Sequence, residues 1–338
     1  MLDAIHIQGL RGITKGSLTE LSPLTILVGP NRSGKSTVLD AMLIGTHTSK
    51  SDGIGQAVQR RQGMDGGARW LISRSAAPTG ALIWAVGDLQ SVCTVVRSSG
   101  PSAFQQWRGT SDPGVTPNVL GTPPITVSFD IGNEYQRHDA GPSLPVLSKG
   151  TELLDSFAPY DGPRVTRLYT ELLERNEYAA AETLLNEVST PGASPLRIDT
   201  GADHTGRAIL MVRTPTGAVP LAMAGDGVKM FARLAMTLAL SNTSLLLLEE
   251  PEAHLHPRTL LALAGRIRDA VRRGLQVVLT THSLELVDQL IRLWQGDDAP
   301  KADMCAFRLA LRDGELLSTR FGRNELADAR FHDGDDVR

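Results

Sequence analysis

Two carboxylates at the end of an apolar run are the first candidates for chemistry in this sequence. Residues 245–248 are four consecutive leucines, and Glu249, Glu250 and Pro251 follow them directly. Such a run is typical of a strand buried on both faces of a parallel sheet, and the proline prevents the strand from continuing. Open α/β folds bind ligands at the carboxyl ends of these strands. Taken alone, the pattern fits equally well a buried strand that ends in solvated acids.

A glycine-rich loop near the start of the chain adds phosphate-binding chemistry. Residues 29–36 match G-x-x-x-x-G-K-[ST] completely, between an apolar run at 24–28 and a segment of helical spacing at 37–45. This order points backbone N–H groups at a phosphate chain. Lys35 is expected to reach the β- and γ-phosphates, and the Ser36 hydroxyl to bind Mg²⁺. We therefore predict that the chain binds a nucleoside triphosphate. The loop residues expected to contact it are Asn31, Arg32, Ser33, Gly34, Lys35, Ser36 and Thr37.

A third motif ends a second strand-like run with a histidine. Residues 276–280 are rich in β-branched and apolar types, and Thr281, His282 and Ser283 follow. A histidine at a strand end is by itself more often structural, but this one is predicted to lie beside the phosphate site. We expect Glu249 to hold Mg²⁺ through water and Glu250 to orient and deprotonate the attacking water. His282 would donate a hydrogen bond to the γ-phosphate or to that water.

Length and composition are those of an ordinary globular protein. The chain has 338 residues, 41% of them hydrophobic, a net charge of −3 and two cysteines, Cys93 and Cys305. Two cysteines favour reduced thiols over a disulfide framework. The start reads as a strand rather than a signal peptide, and no apolar run approaches the roughly 20 residues that a membrane span needs. We expect a cytoplasmic protein without a membrane partner.

The elements that position these motifs are predicted as one domain, residues 1–338. The nucleotide-binding core is expected at 1–48 and 220–325, a β-rich insertion or arm at 50–150, a helical lid at 151–200 and an acidic tail at 326–338, disordered over 328–336. Residues 49–67, rich in Gly, Ser and Gln, are predicted to be a mobile loop. Hairpins are predicted at 81–96 and 208–221, and helices at 164–188, 228–240, 260–273 and 284–294.

Several segments together resemble a known group of proteins. The opening at residues 7–13, the loop at 24–37, Glu-Glu-Pro-Glu-Ala-His-Leu-His-Pro at 249–257, Thr-Thr-His-Ser at 280–283 and residues 169–188 leading to 223–229 carry the resemblance. They are similar to stand-alone bacterial ABC-type ATPases of the branch that includes the overcoming-lysogenization-defect (OLD) nucleases, RecF-like proteins and chromosome-maintenance ATPases. The resemblance covers 50–150 poorly. It implies an α/β P-loop ABC-type head with a mixed central sheet, an antiparallel β-layer and a helical subdomain.

The resemblance also implies that two heads sandwich two molecules of ATP with Mg²⁺. Each site is then completed by a signature loop from the opposite subunit, so the expected first partner is a second copy of the chain, in a homodimer or higher oligomer. Gly225, Asp226, Gly227 and Lys229 stand where that loop lies, although a plain glycine-rich helix entry is the alternative. The loop lacks the serine of the transporter form Leu-Ser-Gly-Gly-Gln, and Glu249 replaces the usual aspartate.

Other residues carried over by resemblance are less specific. Arg11 matches an arginine that approaches the nucleotide, with an exposed strand-end arginine as the alternative. His254 and His256 with Glu252 allow a metal cluster, but the resemblance places dimer contacts on that turn. The glutamine that senses Mg²⁺ cannot be chosen among Gln56, Gln59, Gln62, Gln90 and Gln105.

The output of such a head is predicted to be delivered through a partner. We expect ATP to pair heads and hydrolysis to release them, with a partner effector such as a toxin or nuclease, as in bacterial antiphage systems. The main alternative is a DNA-repair or chromosome-associated head that acts on DNA, for which Arg60 and Arg61 are candidate contacts. Trp70, Trp84 and Trp107 would stack bases or, more commonly, fill a core. A transporter subunit and an ATP sensor that barely hydrolyses are further alternatives.

Overall fold

The strands fall into a large mixed sheet and a small antiparallel one. The computed structural model describes residues 1–47, 52–60, 70–73, 80–100, 103–115, 124–129, 135–138, 144–156, 162–187, 195–240, 242–253, 255–296 and 303–338. The strands of the large sheet are β1 (Leu2–Leu10), β2 (Ile13–Thr19), β3 (Leu24–Val28), β4 (Ala81–Gly87), β5 (Ser91–Gly100), β6 (Ala103–Thr110), β7 (Ile125–Phe129), β8 (Tyr135–His138), β9 (Gly150–Asp155), β13 (Thr243–Glu249), β14 (Gln276–Thr280), β15 (Met304–Arg312) and β16 (Glu315–Gly322). The small sheet contains β10 (Arg197–Ala202), β11 (Ala208–Thr214) and β12 (Gly217–Pro220).

The helices cover both faces of the large sheet. They are α1 (Lys35–Thr46), α2 (Asp52–Gln59), α3 (Gly162–Glu174), α4 (Tyr178–Glu187), α5 (Asp226–Ala239), α6 (Pro257–Arg272), α7 (Leu284–Gln295) and α8 (Arg323–Phe331). Among the helices in these ranges, none combines the length and the apolar character needed to cross a membrane.

Parallel strands form the part of the sheet that positions the predicted motifs. β15, β3, β14, β13 and β9 are neighbours in that order, and each pair is parallel. In β13, Leu246 and Leu248 pack into one hydrophobic core while Leu245 and Leu247 pack into the other. This alternation follows from the two-residue period of a strand covered on both faces. The prediction of a buried parallel strand before Glu249 is confirmed, and the carboxyl ends of β3, β14, β13 and β9 meet at one edge.

The antiparallel strands extend the same sheet on its other side. The predicted hairpin at 81–96 is confirmed by the pairing of β4 with β5, and the hairpin at 208–221 by the pairing of β11 with β12. β4 pairs with β1, so strands β4 to β8 continue the sheet that carries the parallel strands. The chain therefore has the predicted α/β fold with a mixed central sheet; the antiparallel strands β4 to β8 belong to that sheet, while β10 to β12 form the small antiparallel one.

One segment predicted to be a mobile loop is helical where the structure describes it. Within 49–67, residues 52–59 form α2, and Ile54, Ala57 and Val58 are buried in the core beside α1. Their spacing of three and four residues is that of a helical face, and burial of that face offsets the cost of ordering the glycines. The prediction is wrong for α2, and residues 48–51 and 61–69 lie outside the described part of the chain.

The acidic C-terminal segment is ordered, contrary to the predicted disorder over 328–336. Arg308 donates from Nε to the Val337 carbonyl at 3.1 Å and from Nη2 to the Asp336 carbonyl at 2.7 Å. Arg330 is paired with Asp288 of α7 at 2.8 Å. The Val337 side chain is fully buried in the hydrophobic core on that side of the sheet. The contacts with Arg308 and Arg330 and the burial of Val337 outweigh the repulsion among the acidic side chains on which the prediction of disorder was based.

Truncation of that valine is expected to lower the free energy of unfolding. Val337→Ala removes the equivalent of two buried methylene groups, which predicts a loss of about 1.5 kcal/mol, since each contributes ~0.8 kcal/mol. The measurement is urea unfolding at equilibrium, with the exposed Asp333→Ala as the matched variant. Equal stability of the two variants would contradict docking of the tail.

Candidate nucleotide-binding site

The glycine-rich loop between β3 and α1 has the backbone shape of a phosphate cradle. Gly29, Arg32 and Gly34 have positive φ angles of 143°, 67° and 95°. A side chain at Gly29 is excluded, because its Cβ would lie 2.4 Å from the Leu309 carbonyl oxygen. Gly34 is the residue before the first helical residue, Lys35, so the loop leads directly into the N-terminus of α1. This is the strand–loop–helix context that the sequence motif required.

Two side chains of the loop are buried where phosphates would lie. Lys35 is 6% exposed, and its Nζ donates to the carbonyls of Gly29 at 2.8 Å and Pro30 at 3.0 Å. Burial lowers the pKa of Lys35, although the nearby Glu250 and Glu252 carboxylates oppose that shift. The Ser33 hydroxyl is buried and has no hydrogen-bond partner among the described residues. A polyphosphate offers oxygen acceptors to both groups, so the cradle fits the predicted ligand.

Of the other loop residues, Asn31 and Arg32 are exposed, while Ser36 and Thr37 are half-buried in the first turn of α1. Their contacts with a nucleotide stay predictions. The predicted loop residues thus lie together, with Ser33 and Lys35 buried inside the loop and Asn31 and Arg32 exposed at its edge.

Glu250 and His282 are brought together at the carboxyl ends of β13 and β14. The Glu250 N–H donates to both the carbonyl and the Oγ1 of Thr280 at 3.1 Å, and Glu250 has a φ of 46°. A left-handed glutamate is uncommon, and here the two bonds from the neighbouring strand hold it. His282 Nε2 lies 3.5 Å from Glu250 Oε1. The predicted base and the predicted γ-phosphate sensor are therefore adjacent.

The environment of this pair favours a proton acceptor beside a neutral imidazole. Burial raises the pKa of Glu250; the Lys35 ammonium opposes the rise and Asp155 adds to it. Burial also lowers the pKa of His282, helped by the positive charge of Lys35. His282 is accordingly neutral near neutral pH and able to donate through one ring nitrogen. The charge of Lys35 affects the pKa of both His282 and Glu250, so the phosphate loop lies close to the carboxyl ends of β13 and β14.

A pH profile follows from the raised pKa of Glu250. A general base acts only when it is ionised, so kcat/KM for phosphate release should rise with pH through a midpoint above the carboxyl group's ordinary 4.5. The measurement covers about pH 4 to 8.5 at constant ionic strength, with ATP binding followed at each pH to separate binding from chemistry. A profile that is level down to the ordinary carboxyl pKa would contradict the assignment.

Glu252 positions the backbone of the histidine and was not predicted to do so. Its Oε1 accepts from the Thr281 hydroxyl at 2.5 Å and from the His282 N–H at 3.0 Å. Burial raises the pKa of Glu252 despite these two donors. From sequence, Glu252 was a candidate metal ligand together with two histidines of the same turn. Of these, His256 is exposed and His254 lies outside the described residues. The described part of the chain contains no cluster of three metal-binding side chains.

Next to Glu249 the structure places a second carboxylate that sequence reasoning missed. Asp155 ends β9 in register with Glu249, and both are buried. The last residue of β9, the strand next to β13, therefore places an aspartate beside Glu249. Of the glutamines considered as magnesium sensors, the Gln56 side chain contacts His47 and that of Gln90 donates to Pro145, while Gln62 lies outside the described residues. The remaining candidates, Gln59 and Gln105, belong to α2 and β6.

Arg60 connects Glu249 and Asp155 to α1. It follows α2, and its guanidinium contacts Glu249, Asp155 at 2.9 Å and Asp40 at 2.7 Å. Arg11 pairs with the other oxygen of Asp40 at 2.8 Å, so its approach to a nucleotide stays a prediction. Neither Asp40 nor Asp155 stands in a recognisable motif, so no local sequence signal marks them as part of this site.

The residues predicted to form the signature loop lie at the N-terminus of α5. Gly225 and Asp226 are exposed, and Lys229 forms an ion pair with Asp226 at 2.6 Å. α5 packs against α3, α4 and β9, and in the described ranges it makes no substantial contact with α1. The loop is thus available to a second molecule, as a role across an interface requires.

The residues predicted to bind magnesium have side chains that fit a hard divalent cation. Ser36 offers a hydroxyl in the first turn of α1 and Glu249 a carboxylate, which are the oxygen ligands that Mg²⁺ prefers.

The tryptophans considered for base stacking differ in exposure: Trp84 is buried in the predicted core, while Trp70 is 43% exposed.

Comparisons with known structures identify the architecture. The Smc head domain of Pyrococcus furiosus, with an extended coiled coil and bound to the C-terminal domain of ScpA, is 12% identical; the alignment covers 99% of both chains with a TM-score of 0.52. A Smc head bound to the C-winged helix domain of ScpA is 12% identical, with 95% of this chain and 98% of that chain covered and a TM-score of 0.51. At these identities the likeness shows a shared fold, that of an ABC-type P-loop head.

Sequence comparisons give the family. No curated protein matches the chain. Residues 4–62 match a family model described as an AAA domain. Residues 108–288, more than half of the 338, match a second model. The chain therefore belongs to the P-loop ATPase family described as "AAA domain, putative AbiEii toxin, Type IV TA system".

Proposed function

We propose that this protein hydrolyses ATP and uses the cycle to pair and separate two heads. The observation that carries the proposal is the convergence of Lys35, Glu250 and His282. The His282 Nε2 to Glu250 Oε1 distance is 3.5 Å, and both side chains are coupled electrostatically to Lys35. A phosphate-binding lysine, a carboxylate of raised pKa and a neutral imidazole are what in-line attack of water on a γ-phosphate needs.

Each side chain has a distinct task in this mechanism. The N–H groups of the loop and Lys35 bind the phosphates, and the N-terminus of α1 favours their negative charge. Glu250 orients the attacking water and accepts its proton, while His282 donates a hydrogen bond to the γ-phosphate or to that water. Mg²⁺, held by Ser36 and Glu249, would neutralise charge on the phosphate oxygens. Glu252 keeps the His282 backbone in place through its accepted hydrogen bond.

Pairing of heads is supported by the position of the signature-like loop. Gly225 and Asp226 are exposed at the N-terminus of α5, whose N–H groups suit a phosphate of a second molecule. ATP that contacts both molecules would favour the paired state in proportion to its preference for it. The absent serine removes one hydroxyl contact, so slow turnover is part of the proposal.

The proposed output is control of a partner protein in bacterial antiphage defence, by a head of the OLD/RecF-like branch. The description of the family includes a toxin and a toxin–antitoxin system. The two Smc heads of similar fold were solved in complex with parts of ScpA, which supports a partner protein as a mode of action. A toxin or nuclease is the kind of effector that we propose.

A chromosome-associated ATPase that acts on DNA is the second candidate, favoured by the likeness to Smc heads. The two candidate functions are distinguished by how ATP hydrolysis responds to DNA and to salt. DNA contact releases counterions, so DNA-stimulated hydrolysis should weaken steeply as salt is raised. Control of a protein effector predicts no stimulation by DNA.

The proposal is tested by molar mass and phosphate release measured on the same preparation. We expect light scattering to show a monomer with ADP and Mg²⁺, a dimer or larger species with ATP and Mg²⁺, and return to monomer as phosphate appears. Phosphate release without any change of mass would support an ATPase that does not pair. Binding of ATP without turnover would support a sensor.

A further inference from the structure

Arg60 occupies the carboxylate that the metal ion is expected to use. Its guanidinium contacts Glu249 and donates to Asp155 at 2.9 Å, to Asp40 at 2.7 Å and to the Ser36 carbonyl at 3.2 Å. The Ser36 carbonyl belongs to the same residue whose hydroxyl is the second expected metal ligand. The arginine side chain is only 6% exposed.

The charges around Arg60 explain why a cation is needed at this place. Asp40, Asp155 and Glu249 are all nearly buried, with side-chain exposures of 0%, 7% and 5%. Arg11 contributes a second positive charge through its pair with Asp40. Buried carboxylates without a cation would repel one another and lose their solvation, so Arg60 serves as their resident counter-ion.

A guanidinium cannot give up its charge to make room for a metal ion. Arginine stays protonated in proteins, so a divalent cation at Glu249 would lie against a fixed positive charge. The water through which Glu249 is expected to hold the metal ion needs the carboxylate oxygen that Arg60 now contacts, so Arg60 must withdraw from Glu249 when the metal ion binds. Its bonds to Asp40 and Asp155 provide a place to which it can withdraw while staying attached to α1 and β9.

From this geometry we propose that Arg60 is a positioning residue that keeps the magnesium site closed until nucleotide arrives. It holds Glu249 in place without metal and lowers the affinity of the empty site for a divalent cation. The phosphates of ATP bring the negative charge that draws the metal in and releases Arg60 from Glu249. Metal and nucleotide thus bind cooperatively, with the arginine as the source of the coupling. This inference rests on the proposed function, since it concerns the same site.

The test is binding of Mn²⁺, which takes the same oxygen ligands as Mg²⁺ and is counted by its electron paramagnetic resonance signal. It is measured without nucleotide and with a non-hydrolysable ATP analogue. Arg60→Gln is expected to raise the nucleotide-free Mn²⁺ affinity by at least about tenfold, because a positive charge in contact with the site is removed. The affinity with the analogue should change much less, so the cooperativity between the two ligands falls.

Two variants separate this effect from a general loss of structure. Arg164→Gln breaks a comparable pair, that of Arg164 with Glu152, three residues before Asp155 on β9, and should leave Mn²⁺ binding unchanged. Glu249→Gln combined with Arg60→Gln should abolish the gain, because the carboxylate that binds the metal is gone. If Arg60→Gln does not fold, Arg60→Lys takes its place. A lysine keeps the charge but cannot bridge three carboxylates, so we expect a smaller gain, about threefold.

A nucleotide-free Mn²⁺ affinity in the folded Arg60 variant that is within about twofold of wild type, or weaker, would overturn the proposal, since both substitutions release Glu249 from the guanidinium and Arg60→Gln also removes the repelling charge. This outcome is distinct from failure of the proposed function. If wild type does not bind a fluorescent ATP analogue, nucleotide binding is refuted. The comparison of Mn²⁺ binding without nucleotide still decides the role of Arg60.

Discussion

Glu250→Gln should reduce the rate of phosphate release by roughly 10²- to 10⁴-fold, the contribution that a positioned general base makes. The substitution keeps the size of the side chain and a hydrogen-bonding oxygen but removes the proton acceptor. The Glu250 backbone N–H bonds to Thr280 do not involve the side chain, so the strand end should stay in place. ATP binding should therefore survive, and the paired state should accumulate because hydrolysis no longer ends it.

The measurement combines single-turnover hydrolysis with size-exclusion chromatography in ATP and in ADP. Glu315→Gln, an exposed glutamate at the start of β16, is the matched control and should behave as wild type. Hydrolysis by Glu250→Gln at the wild-type rate would show that another group activates the water. If Glu250→Gln loses hydrolysis but does not pair in ATP, Glu250 is still the catalytic base, and the proposed ATP-dependent pairing of heads is refuted.

Prediction from sequence succeeded where local sequence determines the geometry. The loop at residues 29–36 needs positive φ angles at Gly29 and Gly34 and a helix directly after it, and these requirements are written in consecutive residues. The leucine run before Glu249 was equally readable, since few other elements tolerate four large apolar residues in a row. Neighbouring parallel strands then necessarily bring Glu250 and His282 to one edge of the sheet.

Residues held by distant contacts could not be found in the same way. Arg60 meets Asp40, Asp155 and Glu249 only because α2 packs beside α1 and β9 pairs with β13. The glycine and glutamine content around α2 suggested a loop, although the spacing of its apolar residues was a weak helical signal. Asp155 ends a strand of six residues without any motif. Asp155 reaches Glu249 and Arg60 because of the register between β9 and β13, and the sequence does not reveal that register.

Lys35→Ala is expected to weaken ATP binding by roughly 10²-fold, because a charge-assisted contact to phosphate contributes about 1.5–3 kcal/mol. The ammonium is buried inside the loop, where it donates to the carbonyls of Gly29 and Pro30. Its loss removes both the phosphate contact and the bonds that keep the empty loop closed. The fold should survive, since the loop is at the sheet edge and Pro30 is exposed.

Binding is measured by titration with a fluorescent ATP analogue, and Lys15→Ala, an exposed lysine on β2, serves as the matched control. Lys35 also opposes the rise in the pKa of Glu250, so its removal should raise that pKa further. At saturating ATP the acid limb of the residual hydrolysis should therefore move to higher pH in Lys35→Ala. Weak binding with an unshifted acid limb would mean that Lys35 and Glu250 do not act in one site. Tight binding would refute the assignment of the phosphate loop itself.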